Sequence, residues 1–199
     1  MMISENMTRE QKIDLLKLCD AKTASQTETA LQKMTFSAIQ EEILVAILNG
    51  VQTVIGCGAN QSGKSTLGGV LFAVLTTGII PDSIKQRVTA PLRPRGDYLS
   101  LALDFTSSYA ISQQKVFSLL PPRMLNHFSK EYRIATTQTG STVMFKSVDS
   151  GWEKIQGFIF DGVWVDEEPK DVMIWKETSM RTIARSGFRM MTFSPLQGL

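Results

Sequence analysis

The sequence predicts an α/β fold with a mainly parallel central sheet flanked by helices. Three observations predict it. Short apolar, β-branched runs alternate with longer segments of helical periodicity, the pattern that packs helices on both faces of a parallel sheet. One such run, Val51–Cys57, passes through a glycine-rich loop straight into a helical segment that starts at Lys64. A second run, Gly162–Asp166, ends in consecutive acids.

The elements follow in order. Residues 8–34 read as helical through Ile13, Leu15, Leu16 and Leu18, with a polar loop at Thr23–Thr29 before a second short helix. Thr35 to Gln40 lead into a helix, Glu41–Asn49, stopped by Gly50. Val51–Cys57, bounded by glycines, reads as a buried strand, and the helix after the loop runs from Lys64 to about Thr77. Pro91–Gly96 is a loop punctuated by proline and arginine. Tyr98–Asp104 reads as a strand and Ser107–Leu120 as a helix stopped by Pro121-Pro122. Tyr132–Thr136 and Thr142–Lys146 form a hairpin turned near Gly140. Gly162–Asp166 is a strand, Val172–Ala184 a helix, and Phe188–Phe193 a last strand ending at Ser194-Pro195. The chain thus divides into an N-terminal helical segment, 1–34, and one α/β domain, 35–199.

Composition bounds the function classes. With 199 residues, 43% hydrophobic and 20% charged, the chain is long enough to bury a core without disulfides or a structural metal. Cys19 and Cys57 lie in unrelated contexts and form no disulfide framework, which fits a reducing compartment. Met1 to Glu10 has no apolar signal region, and Ile43–Leu48 and Val70–Leu75 are far too short to span a bilayer, so no membrane partner is expected. The net charge of +2 does not announce a nucleic-acid binder. Between Lys85 and Arg133, however, eight Lys or Arg face three Asp or Glu, a basic middle suited to a polyanion or simply to solvent.

The loop Gly58-Ala59-Asn60-Gln61-Ser62-Gly63-Lys64-Ser65, followed by Thr66, carries the chemistry of phosphate binding. Its glycines let backbone N–H groups converge on an anion, and the helix that follows offers its positive end. Lys64 supplies a mobile charge for the β and γ phosphates of ATP, and the Ser65 hydroxyl a ligand for Mg²⁺. These features make the fold a P-loop NTPase. Asp166, at a strand's carboxyl end, is placed to hold Mg²⁺ beside Ser65. Glu167 is placed to accept a proton from an attacking water, which favours hydrolysis over phosphotransfer and gives the fold its additional-catalytic-glutamate (ASCE) character. Glu168 reads as a solvated charge. Gln40, preceded by Phe36, has the donor and acceptor to pair with an adenine edge. Thr192 or Ser194, at the end of the following strand, has a hydroxyl able to sense the γ-phosphate.

In this order, Phe36–Gln40, the P-loop, Gly151–Gly157, Trp164-Val165-Asp166-Glu167-Glu168-Pro169 and Thr192-Phe193-Ser194-Pro195-Leu196-Gln197-Gly198-Leu199 resemble the N-terminal ATPase domain of tailed-phage terminase large subunits. The resemblance covers the chain from about Thr35 onward. It implies that Lys64 and Ser65 bind phosphates and Mg²⁺, that Asp166 is the Walker B acid and Glu167 the catalytic glutamate. It implies that Gln40 contacts adenine and that Thr192, Ser194 and Pro195 couple hydrolysis to movement. It also implies translocation of double-stranded DNA into a procapsid in the infected bacterial cytoplasm, by a motor that is not part of the virion. A portal protein, a small terminase subunit and a homo-oligomeric ring of five subunits belong to that picture, with a monomer in isolation. Relatives continue into a nuclease domain, so the chain reads as an isolated ATPase domain without nuclease activity. Two departures stand out. Many relatives carry an arginine in the loop where this chain has Asn60 and Gln61, and a basic residue where it has Trp152. Lys154, Arg181, Arg93 and Arg95 are therefore the candidates for the finger that neutralises developing phosphoryl charge. Competing readings are a helicase or recombination ATPase, a P-loop kinase, and an assembly protein that holds nucleotide without turnover.

Overall fold

The computed structural model describes residues 30–195 together with Thr8, Ile13, Asp14, Lys22 and Gln26. Most of the N-terminal segment, Cys19 among it, and Leu196 to Leu199 lie outside the described residues. Within that segment Gln26 is helical, although its polar surroundings read as a loop. Polarity alone does not break a helix, and no Gly or Pro occurs before Gly50. Leu31 is fully buried and ties the end of the segment to the body.

Helix α1 (Ala38–Leu48) opens ahead of the expected Glu41 because Ser37 caps it. The Ser37 hydroxyl accepts the Gln40 N–H, and the Gln40 side-chain oxygen accepts the Ser37 N–H at 2.9 Å, a reciprocal capping box. Strand β1 (Thr53–Cys57) departs from the buried strand expected. Thr53, Ile55 and Cys57 are exposed, Ile55 at 58%. The reason is topological: among the described residues β1 pairs only with β7, so it is the edge strand of their sheet. Its half-buried face lies against α1, while the Ile55 face stays open among the described residues.

Helix α2 (Lys64–Thr77) is buried almost continuously from Leu67 to Val74 and ends on Gly78 in the left-handed conformation. Strand β2 (Asp97–Ala102) stops short of the expected Asp104, whose carboxylate instead accepts the Ser107 N–H at 2.7 Å and caps the next helix. That helix, α3, is composite: an α turn at Phe105–Ser107, a π-helical stretch at Ser108–Gln113 and an α segment at Gln114–Leu119. Strand β3 (Leu125–Ser129) has no counterpart among the elements expected from the sequence. Its mixed exposure shows no alternation, and it forms by pairing antiparallel with β4 (Ile134–Thr137), which turns into β5 (Thr142–Ser147) as expected. Strand β6 (Gly162–Asp166), helix α4 (Val172–Ile183) and strand β7 (Phe188–Phe193) complete the chain.

The seven-stranded sheet has the order β1-β7-β6-β2-β5-β4-β3. The strands β1, β7, β6, β2 and β5 run parallel, and β4 and β3 extend the sheet antiparallel. Two apolar layers cover its faces, and β6 shows how a single strand feeds both. Trp164 faces Leu71, Phe72 and Met190, whereas Val163 and Val165 face Leu99, Leu101, Ile174 and Met191. At the amino edge of the strands Arg185 Nη1 bridges Asp97 at 2.8 Å and Asp161 at 2.6 Å. The carboxyl edge is left to the loops, and there the candidate site forms.

Candidate active site

The P-loop leaves β1 and enters α2 through two residues in the left-handed region, Gln61 (φ 63°) and Gly63 (φ 81°). Gly63 is needed for that φ; a Cβ there would also stand 2.7 Å from the flexible end of Gln40, Nε2, and displace it from the loop. As the N-cap of α2 it provides no side-chain partner, so the N–H groups of the first turn remain available to an anion. The Lys64 ammonium donates to the Gly58 and Ala59 carbonyls at 3.0 and 2.8 Å, which uses two of its three donors. In front of the loop lies an open cavity of about 350 Å³ bounded by residues 60–66, Glu167, Ser194, Ile111 and Lys115.

Asp166 ends β6 and is only 6% exposed. The Ser65 and Thr192 hydroxyls both donate to its Oδ1 at 3.2 Å, and the Ser112 hydroxyl to its Oδ2 at 3.4 Å. Burial pushes the carboxyl pKa up, these hydrogen bonds oppose the rise, and the charge of Glu167 adds to it. A carboxyl raised in this way costs stability when ionised and costs nothing once protonated, so the penalty is present at neutral pH and fades as pH falls. Asp166→Asn, which keeps an acceptor for Ser65 and Thr192, is therefore expected to raise the Tm of the metal-free chain at pH 8, with a gap that narrows toward pH 5. Thermal scans across that range check it, and a lower Tm at pH 8 would refute it.

The pair Ser65 Oγ and Asp166 Oδ1 has the oxygen donors that Mg²⁺ prefers. Among the described residues no cluster of three or more His, Cys, Asp or Glu could hold a metal by itself, so an ion here would rely on water and substrate phosphates as well.

Glu167 sits at φ 77°, a conformation rare for a residue with a side chain and a form of strain that concentrates at functional sites. Its N–H donates to the Thr192 carbonyl at 2.7 Å. Its carboxylate receives the Ser194 N–H at 2.9 Å and the Ser194 hydroxyl at 3.3 Å. That hydroxyl also points at Asn60 Oδ1, 2.8 Å away. Ser194 thus joins the P-loop to the glutamate. Two positions earlier, the Thr192 hydroxyl accepts the Trp164 indole N–H at 2.9 Å and donates its own hydrogen bond to Asp166 Oδ1 at 3.2 Å.

The structure brings the P-loop, Asp166, Glu167, Thr192 and Ser194 together and places Pro195 just beyond them. Gln40 also reaches the loop, but its amide is engaged there. Its oxygen serves the α1 cap and its Nε2 donates to the Ser62 carbonyl at 3.1 Å. It lines a second cavity of about 300 Å³, with Ile39, Ile43 and Ile55, on the other side of the loop. Phe36 packs against the core. Arg93 and Arg95 precede β2 and so stand at the amino edge of the parallel strands, away from the P-loop. Arg181 lies near the end of α4, which leads into β7, and pairs with Glu177 at 2.9 Å. Lys154, in the turn Trp152–Ile155, stands near Lys146, whose ammonium is held below the usual lysine range by burial and then by Lys154. None of these four lines the cavity in front of the loop. Two residues of α3 that the sequence did not single out, Ser112 and Lys115, reach the site instead. No local signal marks them, because they arrive through the placement of β2 beside β6.

This arrangement has parallels among solved structures. The chain shares its fold with phage large terminases. The large terminase of a thermophilic bacteriophage superposes with a TM-score of 0.60 at 12% identity over 80% of this chain. That of bacteriophage HK97 gives 0.60 at 14% identity over 86%. The thermophilic-phage terminase in complex with ADP gives 0.56 at 15% identity over 80%. The chain spans between 37 and 39% of the length of those terminases. No family profile matches the sequence, and no curated protein matches it. Among the described residues no helix is long and apolar enough to cross a membrane.

Proposed function

We propose that the chain is an ATP-hydrolysing motor domain of the large-terminase type, which drives double-stranded DNA into a procapsid. The observation that carries the reading is the convergence on one cavity of the P-loop, Lys64 and Glu167, with Ser65 of that lining hydrogen-bonded to the buried Asp166. The ADP complex of the thermophilic-phage terminase, a chain of the same fold, supports nucleotide as the ligand.

In this mechanism Lys64 turns from the loop carbonyls to the β and γ phosphates, joined by the N–H groups of the first turn of α2. Ser65 and Asp166 would hold Mg²⁺, which supplies charge neutralisation on the phosphates when bound. Glu167, fixed by Ser194, takes a proton from the water that attacks the γ-phosphorus. The nucleobase occupies the second cavity, between Ile39, Ile43 and Gln40, whose Nε2 keeps one free N–H. Loss of the γ-phosphate would remove an anion held by Lys64 and the loop N–H groups, and Ser194, bonded to both Asn60 of the loop and Glu167, would pass the resulting shift to Pro195. Packaging would then engage a portal protein, a small terminase subunit and a ring of copies, probed by adding each to the hydrolysis assay.

The direct test is nucleotide binding and phosphate release with ATP and Mg²⁺. Lys64→Ala is expected to weaken ATP binding by roughly 10–100-fold or more, the loss of charge-assisted bonds to phosphate. ATP affinity equal in the variant and the parent chain would remove the phosphate role from this loop.

A further inference from the structure

A phosphoryl-transfer site needs a cation on the charge that develops between leaving and attacking oxygens, beyond the metal and the P-loop lysine. Here the loop carries neutral Asn60 and Gln61, and Asn60 is already bonded to Ser194. The cation that the fold does bring to the cavity is Lys115. It lines the same cavity wall as Lys64, Ser65 and Glu167. Among the described residues no carboxylate pairs with its ammonium.

Two features hold it there. Gly69 lies one turn along α2 from Ser65, and a Cβ on it would sit 3.0 to 3.2 Å from Cβ, C and O of Lys115. A side chain at position 69 would push the backbone of α3 back by a few tenths of an ångström from the helix that starts at the P-loop. The π-helical stretch just before it widens the turn and sets the register. Ser112 thereby falls on Asp166, while Ile111 and Lys115 fall on the cavity. One helix thus touches both the buried carboxylate and the phosphate space, and its flexible lysine stem can follow the phosphoryl group as it moves.

We propose that Lys115 is a catalytic residue that acts in cis, donating to the γ-phosphoryl oxygens as charge builds on them. This rests on the reading of the site as a nucleotide hydrolase. In the step it serves, water oxygen bonds to the γ-phosphorus and its proton passes to Glu167. The bond to the β,γ-bridging oxygen breaks, and its electron pair leaves with ADP. Lys115 makes and breaks no covalent bond.

The test compares affinities of the full chain for Mg²⁺–ADP and for Mg²⁺–ADP with aluminium fluoride, a mimic of the transferring phosphoryl group. The variants are Lys115→Ala, Lys115→Arg and Lys64→Ala. In the parent chain aluminium fluoride is expected to tighten binding. In Lys115→Ala that tightening should fall by about 10²-fold or more, the scale of losing one preorganised charge contact. ADP affinity should stay within a few-fold, which also shows that the variant is folded, and Lys115→Arg should recover most of the tightening. Full tightening in Lys115→Ala overturns the proposal, as does an equal loss of ADP and transition-state-mimic binding. Failure of the hydrolase reading looks different: the parent chain would bind neither ligand, or Lys64→Ala would bind both as well as the parent, and the role of Lys115 would fall with it.

Discussion

Glu167→Gln is expected to lower phosphate release by about 10²–10⁴-fold, the usual worth of a general base, while ATP affinity stays within a few-fold. The structure explains why this exchange isolates the chemistry. Glutamine keeps the length and one oxygen of the side chain, so the Ser194 N–H retains its acceptor. The new amide donates where the second carboxylate oxygen stood, and the Ser194 hydroxyl accepts it because its own proton can go wholly to Asn60, 2.8 Å away. The strained backbone at φ 77° is the same for both residues. What disappears is the capacity to take a proton. Steady-state phosphate release beside equilibrium nucleotide binding checks it. Undiminished turnover would mean that another group activates the water.

The second large effect is structural. Gly68→Ala is expected to destabilise the chain by about 1–3 kcal/mol or more, a Tm drop of roughly 3–10 °C at this length. A Cβ at position 68 would lie 2.1 to 2.4 Å from three ring atoms of Trp164. The indole cannot give way, since it is fully buried, edge-on to Phe72 at 5.9 Å, and bonded through its N–H to Thr192. Because Thr192 bonds onward to Asp166, a displaced indole also disturbs the acidic end of the site. Trp164→Leu, which vacates ring volume, should cost less in the Gly68→Ala background than in the parent chain. Thermal unfolding of the four chains of that double-mutant cycle gives the answer. A Gly68→Ala variant as stable as the parent would mean that α2 is free to lift from the sheet.

Much of the site was legible because its parts are local. The glycine spacing, the lysine and serine that follow, and the two acids that end an apolar run each need only a few consecutive residues, and their secondary structure follows from local pattern. The bounds of α2, β6 and β7 agree with the pattern for the same reason. The Ser37 to Gln40 capping box is equally local, and it is why α1 begins earlier than the apolar pattern alone suggests. The amino-edge position of Arg93 and Arg95 was also implicit, since a residue that precedes a parallel strand lies opposite the ligand edge.

The sequence by itself determined the glycine-rich loop with its lysine and serine, the acids, the hydroxyls of the last strand, and the alternation that makes an α/β sheet. Only the tertiary structure decided the rest. It made β1 an edge strand with Ile55 exposed, set β6 between β2 and β7, and brought Ser112 and Lys115 of α3 to the site. Ser65 and Asp166 meet across 101 residues of chain. Strand order, loop closure and the packing of helices over the sheet govern such meetings, and no local pattern of residue types encodes which strand will be whose neighbour.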